Sequence, residues 1–120
     1  MRYFLDTYAL IEIAEGNPSH QKYVQADAVT LKENLVEMFY FLLKKHDEQT
    51  AAFFVDAFAR IAVELPVSII APAMLFRYQH AKTRFSYIDC LGYAYAKEQK
   101  RIFVTGDRAF KDREGVEIVR

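Results

Sequence analysis

The sequence predicts an α/β fold, with a mainly parallel sheet of four or five strands between two layers of helices. Short, continuously apolar runs, such as residues 3–5 and 102–104, are typical of strands that are buried on both faces. Longer segments between them carry apolar residues at helical spacing, as at Tyr87, Ile88, Leu91 and Tyr95. Because a parallel pair of strands needs a long, usually helical, crossover, this alternation indicates a three-layer α/β/α sandwich.

The first half of the chain is predicted to hold two strands and several helices. A strand at residues 3–5 precedes a helix at 8–13, which ends at Gly16, Asn17 and Pro18. A short helix at 19–25 and a brief strand at 27–30 follow. Residues 30–33 have the pattern of a capping box, which gives Glu33 a structural role. The helix after it, at 34–43, is apolar around most of its circumference and is expected to be buried.

The second half repeats this alternation. A third long helix is expected at residues 48–64, and Pro66 then precedes a predicted strand at 67–70. An amphipathic helix at 72–84 leads to the helix that begins near Tyr87, which feeds the strand at 102–104. A helical turn that ends at Phe110 and a final strand at 116–119 complete the predicted order.

Composition favours a single folded domain over residues 1–120. Hydrophobic residues make up 52% and aromatic residues 15% of the chain, which is enough for one core with aromatics left for a subunit interface. The formal net charge is +0, so the chain as a whole is not basic in the way that is typical of nucleic-acid binders. Residues 79–120, however, hold nine Lys and Arg against six Asp and Glu. Cys90, the only cysteine, is expected in the core of a cytoplasmic protein, since it can form no internal disulfide. No signal peptide or membrane-spanning run is recognisable.

Four acids stand at chemically informative positions. Asp6 and Asp107 each follow a predicted buried strand, at the carboxyl edge where open α/β sheets bind their ligands. Asp89 lies in the first turn of a predicted helix. Glu37 lies in an apolar helix, and positions three and four residues away hold no Lys or Arg that could pair with it.

Each acid also has a structural explanation. Asp6 is a suitable N-cap, Asp89 fits a capping box that starts at Ser86, and Asp107 fits ordinary turn chemistry after Thr105 and Gly106. A buried ion pair would explain Glu37. Taken together, however, clustered carboxylates are hard oxygen ligands suited to Mg²⁺ or Mn²⁺, and such ions suit phosphodiester hydrolysis.

The sequence resembles the PIN-domain ribonucleases, including the toxins of toxin-antitoxin pairs of the VapC type. The resemblance covers essentially the whole chain, and it is carried by four segments in the expected order: residues 3–10 around Asp6, 34–40 around Glu37, 87–96 around Asp89, and 104–110 around Asp107. It implies a metal-dependent endoribonuclease in which Asp6, Glu37, Asp89 and Asp107 are the catalytic, metal-binding quartet. Thr105 would be a supporting hydroxyl. It also implies frequent homodimers and a small antitoxin partner.

Two further features bear on this resemblance. Tyr8 stands where many relatives have Asn after Asp-Thr, which would alter contacts around the site without removing a ligand. If the substrate is RNA, the cations near the carboxyl end are candidates to contact its backbone: Lys82, Arg84, Arg108, Lys111 and Arg113.

Other functions are less well supported. A phosphatase of the haloacid dehalogenase type needs a second Asp where this chain has Tyr8. His20, His46 and His80 have no spacing typical of a joint metal site, so surface or capping roles are expected for them. The alternative that remains is a non-catalytic module of the same fold, used for protein pairing or as a dimer scaffold.

Overall fold

The computed structural model describes residues 1–120 and contains one five-stranded sheet in the order β3-β2-β1-β4-β5. All neighbouring strands pair in parallel. The strands are β1 (Arg2–Leu5), β2 (Asp27–Leu31), β3 (Ala62–Val63), β4 (Ile102–Thr105) and β5 (Val116–Ile118). The mainly parallel α/β arrangement predicted from the sequence is therefore confirmed.

Five α-helices flank the sheet, with short 3-10 helices in several connections. They are α1 (Thr7–Ala14), α2 (Lys32–Lys45), α3 (Glu48–Phe58), α4 (Ile70–Gln79) and α5 (Tyr87–Glu98). A 3-10 helix at Arg108–Phe110 follows β4, which confirms the helical turn predicted to end at Phe110. No helix has the length and apolarity needed to cross a membrane.

Alternating residues of the central strands build two separate cores, which makes the molecule three-layered. Phe4 and Phe103 point into the core under α4 and α5, whereas Leu5 and Val104 point into the core under α1, α2 and α3. This alternation is the period of two that a strand imposes on its side chains. Each fully buried Phe or Leu stabilises the fold by about 1.5–3 kcal/mol.

The sheet order creates a crevice between the carboxyl ends of β1 and β4. The chain lays β2 and β3 on one side of β1 and then crosses over to place β4 on the other side. Open α/β sheets bind ligands at such a switch point. The amide of Asp6 donates to the carbonyl oxygen of Val104 at 3.2 Å, so the pairing of the two strands continues up to this crevice.

The prediction for residues 62–70 was wrong. The third helix ends at Phe58, and Ala62–Val63 is the edge strand, paired with Thr30 and Leu31. The predicted strand at 67–70 is a 3-10 helix that leads into α4. A two-residue strand is too short to show its own periodicity, so the sequence pattern predicts the longer apolar run beyond Pro66 instead.

Two predictions about α2 were also wrong. Thr30 does not cap the helix: it lies in β2, and its hydroxyl donates to the carbonyl oxygen of Leu5 at 2.7 Å. Leu31 is the N-cap residue. Its amide nitrogen donates to Oδ1 of Asn34 at 3.3 Å, and not to Glu33. In addition, one face of α2 is open to solvent, since Val36, Tyr40, Phe41 and Leu43 are all exposed.

Cys90 is buried as predicted, whereas the histidines differ from one another. His46 and His80 lie at the carboxyl ends of α2 and α4, in agreement with the predicted capping or surface roles. His20 is fully buried beside Tyr8 and Tyr23, which the sequence did not predict. Burial lowers the pKa of His20, so its neutral form is favoured.

Candidate active site

Asp6 lies at the end of β1 and is the N-cap of α1. One of its carboxylate oxygens, Oδ1, accepts a hydrogen bond from the amide of Ala9 at 2.8 Å. Its side chain is almost completely removed from solvent, with 4% of the residue exposed. The capping role expected from the sequence is therefore real, and it fixes the carboxylate at the crevice beside β4.

Asp107 occupies the equivalent place after β4. Its Oδ1 atom accepts from the amide of Ala109 at 2.9 Å and caps the following 3-10 helix. Its own amide donates to Oγ1 of Thr105 at 3.0 Å. Unlike Asp6, Asp107 is exposed.

Asp89 is held in the first turn of α5 by a reciprocal capping box. The amide of Ser86 donates to Oδ2 of Asp89, and the amide of Asp89 donates to Oγ of Ser86, both at 2.9 Å. This pair satisfies two amides that would otherwise lack partners at the helix start. The other oxygen, Oδ1, makes no hydrogen bond with the protein.

Glu37 is joined to the site through the residue that follows Asp6. The hydroxyl of Thr7 donates to Oε1 of Glu37 at 2.5 Å and accepts from Nδ2 of Asn34 at 3.0 Å. Glu37 forms no salt bridge, so the ion pair considered as its structural explanation is absent. Glu37 is also half-buried, because α2 is less enclosed than expected.

Electrostatics shows which acids share a common environment. The pKa of Asp6 is raised to about 7, mainly by burial. The charges of Asp89 and Asp107 also raise it, whereas hydrogen bonds from Thr105 and Ala9 lower it. Burial and the charge of Asp107 also raise the pKa of Asp89, although hydrogen bonds from Ser86 oppose this. Asp6, Asp89 and Asp107 therefore repel one another, and no salt bridge neutralises them.

The residues fit an oxygen-preferring divalent cation. No three Asp, Glu, His or Cys side chains lie close enough to form a ready-made metal cage. Mg²⁺ is commonly bound through only one or two carboxylates together with waters and substrate phosphates, so it does not need such a cage. Asp6 and Asp89 supply carboxylates that lack a cation, while Thr105, fully buried, supports the ionised form of Asp6.

Thr7 and Asn34 were not recognised from the sequence as contributors to the site, whereas Ser86 was predicted to share a capping box with Asp89. Thr7 bonds directly to Glu37, and Ser86 bonds directly to Asp89. Asn34 acts through Thr7, to which its side-chain amide donates. Only Ser86 had a recognisable signal, its place in a capping box. The bond between Thr7 and Glu37 joins residues 30 positions apart and has no local pattern.

Tyr8 packs against the turn that carries Asp107. A methyl group at Gly106 would lie 2.1 Å from Cε1 of the Tyr8 ring, so only glycine leaves room for this ring. On its other side Tyr8 contacts His20, with ring centroids 6.1 Å apart. The ring of Tyr8 thus packs between the turn before Asp107 and the buried His20.

The cations predicted to contact RNA are not equivalent. Lys82, Arg84, Arg108 and Lys111 are exposed. Arg113 is half-buried, and its guanidinium carbon lies 5.0 Å from the ring centroid of Phe76 and 5.9 Å from that of Phe85. Arg113 therefore has a packing role in addition to any contact with a substrate.

The fold and this cluster define a parallel α/β/α domain with carboxylates at its switch point. Residues 3–116 match the PIN domain family, and the chain belongs to that family. No protein of curated function is significantly similar to it in sequence.

Three solved structures share the fold at low sequence identity. VapBC2 from Rickettsia felis, bound to a DNA fragment from its promoter, is 15% identical with a TM-score of 0.78, and the match covers 100% of both chains. A toxin-antitoxin complex from Klebsiella pneumoniae is 18% identical with a TM-score of 0.73, covering 96% of this chain and 95% of the other. Mycobacterium tuberculosis VapC20, a toxin that cleaves the sarcin-ricin loop, is 13% identical with a TM-score of 0.71, covering 83% and 85%.

Proposed function

We propose that this protein is a divalent-metal-dependent endoribonuclease whose acidic quartet is Asp6, Glu37, Asp89 and Asp107. The PIN domain family is one of nucleases, which supports a hydrolase acting on nucleic acid. The observation that carries the proposal is the burial of Asp6 at the switch point, near the carboxylates of Asp89 and Asp107, where none of the three forms a salt bridge. Such an arrangement is costly unless a ligand neutralises it.

In this proposal Asp6, Glu37, Asp89 and Asp107 would hold Mg²⁺ or Mn²⁺ at the site of cleavage. A divalent ion bound there would activate a water and stabilise the negative charge on the leaving oxygen. The protein's own part is to orient the carboxylates. A backbone amide donates to one oxygen of each Asp: Ala9 to Asp6, Ser86 to Asp89 and Ala109 to Asp107. The hydroxyl of Thr7 donates to one oxygen of Glu37.

Without a metal, Asp6 would be partly protonated at neutral pH. Because its pKa is raised to about 7, its carboxyl holds a proton for part of the time at neutral pH. A cation displaces that proton, so metal affinity should rise with pH across neutrality.

The partners we propose are those of VapC-type toxins: a strand of RNA, a second copy of the chain, and a small antitoxin protein. Apolar side chains exposed on α2 and α3, including Val36, Leu43 and Phe53, would be covered by a protein partner. Exposed Lys82, Arg84, Arg108 and Lys111 would contact RNA phosphates, together with the partly exposed Arg113. An RNA substrate and a reduced Cys90 would place the protein in the cytoplasm.

The test is cleavage of a labelled, largely single-stranded RNA with Mg²⁺, with Mn²⁺ and with chelator. An Asp89→Asn protein purified in the same way is the matched control, since asparagine keeps an oxygen that can accept from Ser86. Cleavage that requires both a metal and Asp89 is expected. A folded wild-type protein that neither cleaves RNA nor binds Mn²⁺ would instead favour the non-catalytic pairing module.

A further inference from the structure

The turn that carries Asp107 has few hydrogen bonds of its own. The amide of Asp107 donates to Oγ1 of Thr105 at 3.0 Å, and Oδ1 of Asp107 accepts from the amide of Ala109 at 2.9 Å. The side chain of Asp107 is exposed and forms no salt bridge. The two bonds set the shape of the turn, whereas its position against α1 depends on packing.

Gly106 lies buried in this turn, and Tyr8 explains why the residue there is a glycine. A left-handed backbone is the usual reason for a glycine, but only Gly16 and Gly115 have a positive φ. A Cβ atom at Gly106 would lie 2.1 Å from Cε1, 2.3 Å from Cζ and 2.5 Å from Cδ1 of Tyr8. Because non-bonded carbon atoms do not approach so closely, the ring of Tyr8 occupies the space that any other side chain at position 106 would need.

The ring of Tyr8 is held from a second side as well. Its centroid lies 6.1 Å from that of His20, whose side chain is fully buried. The atoms of Tyr8 that approach Gly106 all belong to the ring, so this packing does not require the hydroxyl. A phenylalanine at position 8 would make the same contacts.

The first residues of α1 connect three of the four acids. Asp6 is one of them and caps the helix. The hydroxyl of Thr7 donates to Oε1 of Glu37 at 2.5 Å. Tyr8 packs on the residue that precedes Asp107. Since a helix is a rigid element, the contact of Tyr8 with the turn relates the place of Asp107 to that of Asp6.

We propose that Tyr8 is a positioning residue whose ring, packed on Gly106, keeps Asp107 close enough to Asp6 for both carboxylates to act on one divalent cation. Residues that orient metal ligands without touching the metal contribute to metal affinity in this way. The inference rests on the proposed ribonuclease function and adds to it a residue outside the acidic quartet. Tyr8 and Gly106 are then a matched pair, in which the missing side chain of one makes room for the ring of the other.

Amide hydrogen exchange in the metal-free protein, followed by NMR, tests the position of the turn. In Tyr8→Ala the amides of Asp107 and Ala109 should lose most of their protection, because the turn can then move away from α1. Tyr8→Phe should protect both amides as the wild type does. Tyr8→Leu keeps apolar bulk without the ring, should resemble Tyr8→Ala, and replaces it if the alanine variant does not fold. Unchanged protection in a folded variant that lacks the ring would overturn the inference.

Calorimetric titration with Mn²⁺ measures the consequence for metal binding. Tyr8→Ala should raise the Kd for Mn²⁺ about ten-fold, whereas Tyr8→Phe should bind like the wild type. In an Asp107→Asn background, Tyr8→Ala should leave the Kd nearly unchanged, because the ring acts through the carboxylate that this background lacks. Equal weakening in both backgrounds would show that Tyr8 does not act through Asp107 and would overturn the inference.

Tyr95→Ala is the matched control for the loss of an aromatic side chain. Tyr95 is half-buried like Tyr8, and its ring centroid lies 5.9 Å from that of Phe4 in the other core. This variant should lower the free energy of unfolding in urea, yet keep the wild-type Kd for Mn²⁺ and the wild-type protection of the turn. If Tyr95→Ala changed both as Tyr8→Ala does, the effect of Tyr8 would be one of stability alone, and the inference would be wrong.

The two measurements separate this inference from the proposed function. A wild-type protein that binds Mn²⁺ and cleaves RNA, with a Tyr8→Ala variant that matches it in exchange and in Kd, would overturn the inference and leave the ribonuclease function standing. A wild-type protein that neither binds Mn²⁺ nor cleaves RNA, but whose turn is protected only when the ring is present, would overturn the ribonuclease function. The positioning of Asp107 by Tyr8 would then still stand.

Discussion

Asp6 and Asp107 occupy equivalent places after neighbouring parallel strands, but their surroundings differ. Both cap a helical turn through Oδ1, at 2.8 Å to Ala9 and 2.9 Å to Ala109. Asp6 is buried and its pKa is raised to about 7, whereas Asp107 is exposed. Since the local chemistry is the same, the raised pKa of Asp6 arises from burial and from the other acids. Capping explains why an Asp stands there, but not why it is enclosed with like charges.

The largest expected effect of breaking this arrangement is on catalysis. Asp6→Asn should lower the rate of metal-dependent RNA cleavage on the order of 100-fold or more, because a buried charge that neutralises the metal is lost. Asp107→Asn should have a smaller effect, since water can replace part of an exposed carboxylate. Single-turnover cleavage rates for both variants and the wild type measure the difference. Equal losses would contradict a distinction based on burial.

Asp6 and Asp107 should also differ in how much each contributes to the pH dependence of stability. Because the pKa of Asp6 is raised in the folded protein, Asp6 keeps its proton at pH values where the carboxyl of the unfolded chain, with its ordinary pKa of 3.8, has already lost it. Metal-free wild-type protein should therefore lose stability as the pH rises from about 4 to 7, by at most roughly 4 kcal/mol.

Urea unfolding at a series of pH values, in the presence of chelator, checks this. Asp6→Asn should flatten the curve and be the more stable protein at pH 8, while Asp107→Asn should change the slope little. A wild-type curve with no slope in this range would show that Asp6 is not enclosed as described.

A bound divalent metal should neutralise the repulsion among Asp6, Asp89 and Asp107 and so stabilise the folded protein. At a concentration one hundred times its Kd, Mn²⁺ should stabilise the wild-type protein by about 2.7 kcal/mol. That gain raises the thermal midpoint by about 10 °C for a domain of this size. Asp6→Asn should lose most of this shift, as measured by thermal unfolding with and without Mn²⁺. An equal shift in both proteins would place the ion elsewhere.

The turn before Asp107 offers a test of packing. Gly106→Ala places a methyl group 2.1 Å from Cε1 of Tyr8, so it should destabilise the fold by about 1–3 kcal/mol. Combining it with Tyr8→Ala should recover much of that loss, because the clash disappears. Unfolding free energies of the two single variants and the double variant give the coupling. Strictly additive effects would mean that the ring and the turn are not in contact.

The smallest expected effect concerns the capping box that Ser86 forms with Asp89. Ser86→Ala removes one half of the capping box at α5 and should cost about 1 kcal/mol of stability. Ser86→Thr should retain the hydroxyl and most of the stability. The free energy of unfolding of both variants, measured by urea denaturation, checks the bond between Ser86 and Asp89.

The sequence predicted best where local chemistry and tertiary position agree. In residues 85–110 the cap at Ser86, the helix, the short apolar strand and the turn after it are all set by neighbours along the chain. In residues 30–70 the decisive contacts are long-range. Thr30 bonds to Leu5 rather than capping α2, and Ala62–Val63 becomes a strand because β2 offers it an open edge.

The same distinction applies to the candidate site. The places of Asp6, Asp89 and Asp107 follow from their positions at strand and helix ends, and the prediction of their structural capping is confirmed. The contact of Thr7 with Glu37 and the enclosure of Asp6 depend on how α2 packs beside α1. A sequence pattern does not contain that packing, and the roles of the quartet in catalysis stay predictions.

A calorimetric titration of Mn²⁺ into wild-type and Asp6→Asn protein at pH 7.5 shows whether these acids form a metal site. We expect Asp6, Asp89 and Asp107 to repel one another until a divalent cation neutralises them. Saturable binding to the wild type that is much weakened by Asp6→Asn is the predicted result. No binding to a folded wild-type protein, or equal binding to both proteins, would contradict the assignment of this cluster as a metal site.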